Sequence, residues 1–274
     1  MSDVEKDLKA AKIILGYDNE IDGIDMSFYK RIYPWTNEYI ENYYNYVDLN
    51  EKNSLTITGS GDHAIYACLA GSKLIDSVDI NPLAKYYSAL KIAMIRTYDI
   101  KTLKRKININ KIKNLKSPPY INRIDTFQLT NYLTDEELFF WNGLINKKGF
   151  FDNNIFRWDG FYFKDCVPYY VKNDELFKRL QANLNICKIS YHDMDISDKM
   201  IKLPNKYDCV FLSNVLEHLY FDCDRLNAVE NCESMLNENG KIITYRLNKS
   251  SDEFLGKYGF NVVVGNAVVL SNKK

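Results

Sequence analysis

Gly59, Ser60, Gly61, Asp62 and His63 follow the short apolar and β-branched run 55–58, and Asp79 stands 18 positions after Gly61 at the end of a second apolar run. Two glycines let a backbone turn tightly beside a ligand, and a carboxylate closing the next strand can accept both hydroxyl hydrogens of a ribose. This spacing points to the holding of an adenosine. A dinucleotide would call for a third glycine where Ala64 stands, and would lay its pyrophosphate on the start of the following helix, where Asp62 sets a negative charge. A sulfonium cofactor with an amino group tolerates that acid. The expected cofactor is therefore S-adenosylmethionine, with Asp62 paired to the ammonium of its methionine moiety.

Such residues come together only if strands and helices alternate, and from residue 54 onward they do. The pattern predicts strands over 55–58 and 74–79 with a helix over 64–70 between them. Pro82 opens a further helix to about residue 98, because Leu83, Tyr87, Leu90 and Met94 recur at helical spacing. The alternation resumes with strands over 186–193 and 206–213, a helix over 225–236 and a strand over 241–247 after Asn239 and Gly240. Two β-branched runs, 260–264 and 267–270, flank Gly265 and Asn266 and read as a tight antiparallel hairpin. The fold class expected is α/β, a Rossmann-like seven-stranded sheet with a terminal antiparallel hairpin. Residues 1–50 are expected to form a helical cap, and 51–274 the cofactor-binding domain. That domain is interrupted by a helical, aromatic insertion over 99–185 that provides an acceptor site or a lid.

Composition narrows the function classes. Lys plus Arg and Asp plus Glu are both 36, so no global field recruits nucleic acid or an anionic membrane. Cys68, Cys166, Cys187, Cys209, Cys223 and Cys232 form no C-x-x-C pair and no metal-ligand spacing. They read as free thiols of a cytoplasmic protein, and no metal is expected. No run approaches the roughly 18 apolar residues of a membrane span, and the first residues lack the order of a signal peptide.

Asp208, Cys209, Val210, Phe211, Leu212, Ser213, Asn214, Val215, Leu216, Glu217 and His218 resemble the fourth-strand motif of class I S-adenosylmethionine-dependent methyltransferases, and Gly59, Gly61, Asp79 and Asp193 match that group's other stations in order. Ile57 and His63 depart from it, standing where an acid and a third glycine are common. A finer likeness is carried by Arg31, Ile32, Tyr33, Pro34, Trp35 and Thr36, by the 56–63 glycine turn, by Asp79, Ile80, Asn81 and Pro82, and by the long middle insertion. In these the chain resembles the S-adenosylmethionine:diacylglycerol 3-amino-3-carboxypropyl transferases of betaine-lipid synthesis and their bacterial relatives. That resemblance implies transfer of the cofactor's aminocarboxypropyl arm to a small-molecule or lipid acceptor, with methyl transfer as the alternative. A non-catalytic adenosine-binding protein is the competing class. The residues expected to hold the cofactor are Thr58, Gly59, Ser60, Gly61, Asp62, Asp79, Ile80, Asp193, Met194 and Asn214.

Displacement at a sulfonium needs orientation and exclusion of water more than it needs catalytic side chains. A general base would help a hydroxyl acceptor. Glu217 and His218 near the fourth strand, and Tyr29 or Tyr33 from the amino-terminal cap, are the candidates. Ser117, Pro118, Pro119 and Tyr120 match a tetrapeptide of amino-group DNA methyltransferases, but they follow a basic polar run instead of an apolar strand, so nucleic acid is not the expected partner. The run 101–116 carries seven basic residues, enough for a phosphate or headgroup patch and equally for a solvated helix face. Phe139, Phe140, Trp141, Trp158 and Tyr162 would line an acceptor pocket or form the insertion's own core.

Overall fold

A central strand of small and β-branched residues, β1 (Asn53–Ile57), is flanked on both sides by parallel neighbours, β2 (Leu74–Asp79) and β4 (Tyr207–Phe211). The computed structural model describes residues 1–20, 23–44, 47–107, 126–145, 155–156, 168–245, 252–257, 260–264 and 267–271. Next to β2 lies β3 (Lys188–Asp193), and next to β4 lies β5 (Leu236–Tyr245), so five strands run parallel. The strands β6 (Phe260–Val264) and β7 (Ala267–Ser271) extend the sheet antiparallel, giving the order β3-β2-β1-β4-β5-β7-β6. The direction of winding reverses between β1 and β4, and in open α/β sheets ligands bind outside the carboxyl ends of the strands at such a point.

The chain forms two compact units. The unit containing the sheet comprises 38–58, 63–80 and 183–274. On one face of its sheet, Leu55, Val78, Val210, Leu212 and Ile242 pack with Leu216 of α8 (Val215–His218) and with Ala228, Val229 and Cys232 of α9 (Asp222–Met235). Near this core, Asp76 of β2 is buried and accepts from Tyr207 Oη at 2.7 Å and Asn205 Nδ2 at 2.8 Å, with His192 Nε2 at 2.9 Å. Burial works against its charge, yet the hydrogen bonds from Asn205, His192 and Tyr207 outweigh it and hold the carboxyl below the ordinary aspartate range. In the window between that lowered value and the ordinary one the unfolded chain binds the extra proton, so the contribution of Asp76 is present above about pH 4 and is lost as the pH falls through the lowered value. Denaturant titrations at pH 7 and pH 3 are expected to show Asp76→Asn less stable than the wild type at pH 7, with a smaller further loss on acidification.

The other unit comprises 1–37, 59–62 and 81–182. Its centre is α4 (Leu83–Thr97), which follows Pro82 and buries residues all round. Tyr86 of α4 stacks on Phe140 of α6 (Asp135–Leu144), ring centroids 3.9 Å apart, and its carbonyl accepts from the Trp141 indole at 3.1 Å. Phe140 and Trp141 are thus core residues, whereas Phe139 is exposed. The amino-terminal α1 (Asp3–Ile14) packs on α6 so closely that a Cβ on Gly143 would lie 2.4 Å from a Leu8 methyl. Its Asp7 is buried, accepting from Tyr29 Oη at 2.7 Å and Tyr86 Oη at 2.8 Å, with Lys85 Nζ 3.3 Å away. The Tyr29 hydroxyl therefore holds α1 in place.

The stretch 99–185 contains α5 (Ile100–Lys106) and, before β3, α7 (Asp174–Leu184), which buries Phe177, Leu180 and Leu184 and is capped by Asn173. One expectation changes at the level of elements. The fifth strand begins at Leu236 and not at residue 241: its register with β4 jumps from Tyr207–Leu236 to Cys209–Lys241, and Asn239 takes a left-handed φ of 63° to absorb the excess. Residues 117–120, Trp158, Tyr162, Gly265, Asn266 and most of the basic run beyond α5 lie outside the described residues. Among the described residues no helix is long and apolar enough to cross a membrane.

Candidate active site

The glycine turn takes its shape from two left-handed residues, Gly59 at φ 48° and Gly61 at φ 83°. They differ in surroundings. A Cβ on Gly61 would lie 2.5 Å from Ser88 Oγ and 2.9 Å from the Ser88 backbone Cα on α4, so only glycine lets the turn lie against that helix. A Cβ on Gly59 would meet no described protein atom within 4 Å. Among the described atoms the turn is therefore crowded at Gly61 and uncrowded at Gly59.

Asp62, which opens α3 (Asp62–Leu69), is fully buried and accepts four hydrogen bonds. They come from the Thr36 backbone N–H at 2.7 Å, Ser60 Oγ at 2.9 Å, Lys91 Nζ at 2.8 Å and Tyr170 Oη at 3.0 Å. The ammonium expected on this carboxylate from a ligand is thus supplied by Lys91 of the protein itself. Burial pulls the Lys91 ammonium below the usual lysine range, against the attraction of Asp62. Tyr87 Oη donates to the Pro34 carbonyl at 2.7 Å, and its ring lies 5.0 Å from Lys91 Nζ. The segment Arg31 to Thr36, singled out by resemblance, thus anchors the turn through Thr36 and is itself held through Pro34, while Tyr33 is 37% exposed. Asn81, just past β2, holds the Lys30 backbone by donating Nδ2–H to its carbonyl at 3.0 Å.

In the unit containing the sheet, the carboxyl ends of β2 and β3 place Asp79 and Asp193 in register, side by side. Asp79 is half-buried and Asp193 exposed, and the Met194 N–H donates to the Asp79 carbonyl at 3.0 Å. Ile80 is 45% exposed beside them. Thr58, the last residue before the turn, is buried, with its hydroxyl 2.9 Å from Ser77 Oγ and its N–H on the Val78 carbonyl. Its side chain is engaged within the sheet.

The end of β4 carries a cluster that the sequence reading did not find. Ser213 has a left-handed φ of 52°, although it is not glycine, and it is fixed there by its carbonyl, which accepts from the Tyr245 N–H at 2.6 Å and Thr244 Oγ1 at 2.9 Å. Its hydroxyl donates to Glu38 Oε1. Glu38, 4% exposed, lies 3.2 Å from His63 Nε2 through its other oxygen. Tyr44 of α2 (Glu41–Tyr44) closes the group, donating to the His63 carbonyl at 2.7 Å and stacking on Phe211 with centroids 4.3 Å apart. Asn214 follows Ser213 at the start of α8, on which Glu217 is half-buried and His218 exposed. Arg225 Nε binds the Leu216 and Leu219 carbonyls and fixes that short helix.

No family model matches the chain, and no curated protein matches it in sequence. Among solved structures it is similar to the rRNA methyltransferase aviRa from Streptomyces viridochromogenes, at 8% identity over 95% of this chain and 92% of that one, with a TM-score of 0.47. It is also similar to the N-methyltransferase NodS from Bradyrhizobium japonicum WM9, at 11% identity over 96% of each chain and a TM-score of 0.40. A ribosomal protein L11 methylase from Lactobacillus delbrueckii subsp. bulgaricus shows 11% identity over 83% of this chain and 72% of that chain, with a TM-score of 0.38.

Proposed function

We propose that the protein is an S-adenosylmethionine-dependent transferase. The observation that carries this reading is the pair of carboxylates, Asp79 and Asp193, side by side in register at the carboxyl ends of β2 and β3, beside the point where the winding of the sheet reverses. An adenosine presents matching donors, the two ribose hydroxyls for Asp79 and the adenine amino group for Asp193. Ile80 and Met194 would flank the adenine, and Asn214 would meet the cofactor's amino-acid end. The backbone of Thr58, Gly59, Ser60 and Gly61 would lie beside the methionine portion, with Asp62 holding that turn in shape from behind.

When bound, the cofactor supplies an activated carbon on a sulfonium. The chain's part is to orient the two reactants, to exclude water and to take up a proton from the acceptor. Tyr33, Glu217 and His218 remain candidates for contact with the acceptor, a small molecule or lipid. Methyl transfer is the reading consistent with the fourth-strand motif. Arm transfer is favoured by the likeness over Arg31 to Thr36 and Asp79 to Pro82.

Calorimetric titration of S-adenosylmethionine is expected to give saturable one-site binding to the wild type. Asp79→Ala removes both ribose hydrogen bonds, each to a charged acceptor worth about 1.5–3 kcal/mol, so its affinity should fall by more than about 100-fold. Equal binding by wild type and Asp79→Ala would remove the adenosine assignment.

A further inference from the structure

We infer that Ser213, Glu38 and His63 form a proton relay, in which Ser213 touches the acceptor and Glu38 receives the proton. The inference rests on the transferase reading above and extends it to residues which that reading does not use. Three observations on the sheet unit carry it. First, Ser213 stands at the carboxyl end of β4, one of the two strands at which the winding of the sheet reverses, where ligands of such sheets bind. Second, it is held in a left-handed conformation by two hydrogen bonds to its carbonyl, and backbone strain of this kind in a residue with a Cβ persists where the surroundings over-determine it. Third, its hydroxyl is half-buried while the carboxylate behind it is buried and backed by an imidazole.

A staple between Glu38 and the sheet edge would work as well with neutral partners. A buried carboxylate and imidazole gain little stability over apolar groups of the same size. What the buried carboxylate provides is a proton acceptor shielded from water and reached through one hydroxyl. In the transfer step the acceptor's lone pair forms the new bond to the sulfonium-bound carbon, and the carbon–sulfur bond breaks with its electron pair returning to sulfur, which leaves as a neutral thioether. The acceptor's proton passes to Ser213 Oγ as the Ser213 proton passes to Glu38 Oε1. Glu38 ends neutral, matching the charge lost at sulfur, and His63 fixes the position of the carboxylate through its other oxygen. Among the described groups, His63 and Ser213 face Glu38, and the Tyr44 phenol is close enough to feel its charge.

The test compares wild type, Glu38→Gln and Ser213→Gly, the last chosen because glycine accepts the left-handed φ without strain. Each is titrated with S-adenosylmethionine by calorimetry and assayed for by-product release with a cell extract supplying the acceptor. Turnover of Glu38→Asp is measured alongside. Glu38→Gln and Ser213→Gly should bind cofactor within about threefold of wild type but turn over about 100-fold or more slowly, the usual size of a lost general base. Glu38→Asp, which keeps a carboxylate, should turn over faster than Glu38→Gln. Normal turnover by Glu38→Gln or Ser213→Gly, or Glu38→Asp no faster than Glu38→Gln, overturns the relay and leaves the transferase reading standing. Failure of the wild type to bind cofactor overturns that reading first, and the relay with it.

Discussion

Gly61→Val is expected to be the most damaging single substitution in the glycine turn, lowering stability by about 2–5 kcal/mol and abolishing cofactor binding. Two costs add. A left-handed φ of 83° costs a residue with a Cβ about 1–2 kcal/mol, and the new side chain would press on α4 at Ser88, where backbone as well as side chain lies within 3 Å. Overpacking of this kind costs about 1–3 kcal/mol more, since a helix backbone cannot rotate away as a side chain can. Gly59→Val gives the comparison that separates folding from binding. It carries the strain of its φ of 48° but no clash with the described protein, so stability should fall by only about 1–2 kcal/mol while cofactor affinity collapses. Thermal unfolding together with calorimetric binding of the two variants checks this. Similar losses of stability in both would mean that Gly61 is not selected by α4.

Asp62→Ala is expected to destabilise the protein by about 3–5 kcal/mol, because it leaves the Lys91 ammonium buried without its counter-charge and frees three further donors. Lys91→Met alone strands the carboxylate and should cost less, since Thr36, Ser60 and Tyr170 continue to donate to it. Combining Asp62→Asn with Lys91→Met should cost clearly less than the two single changes added together, with a coupling of about 1–3 kcal/mol. Urea denaturation of the four proteins measures that coupling, and strict additivity would contradict the ion pair. The same cluster explains why Asp62 is a poor ligand for a cofactor's ammonium: its two oxygens already serve residues 36, 60, 91 and 170, which shapes the turn for whatever lies in front of it.

Local pattern carried much of the fold. Leu74–Asp79 reads as a strand because its apolar run is bounded on both sides, and α4 reads as a helix because Pro82 precedes a regular apolar stripe. Within the stretch 99–185, Asn173 as a cap and Phe177, Leu180 and Leu184 at helical spacing mark α7. The glycine turn and Asp79 were legible because their residues lie close together along the chain. The partners of Asp62 and Ser213 were not. Lys91 is 29 positions from Asp62, Tyr170 is 108 from it, and Glu38 is 175 from Ser213. A lysine next to a helical apolar stripe reads as a solvated charge, since lysine is rarely buried unless paired, and the pairing appears only in three dimensions. Glu38 sits in a polar stretch of the amino-terminal segment with no periodicity to mark it.

The most direct test of the account is mass spectrometry of the nucleoside released when the purified protein is incubated with S-adenosylmethionine and a small-molecule and lipid extract. Enzyme-dependent S-adenosylhomocysteine or methylthioadenosine is the expected result, the first reporting methyl transfer and the second transfer of the aminocarboxypropyl arm, and Gly59→Val should release neither. Release of neither product by the wild type would contradict the assignment of a transferase.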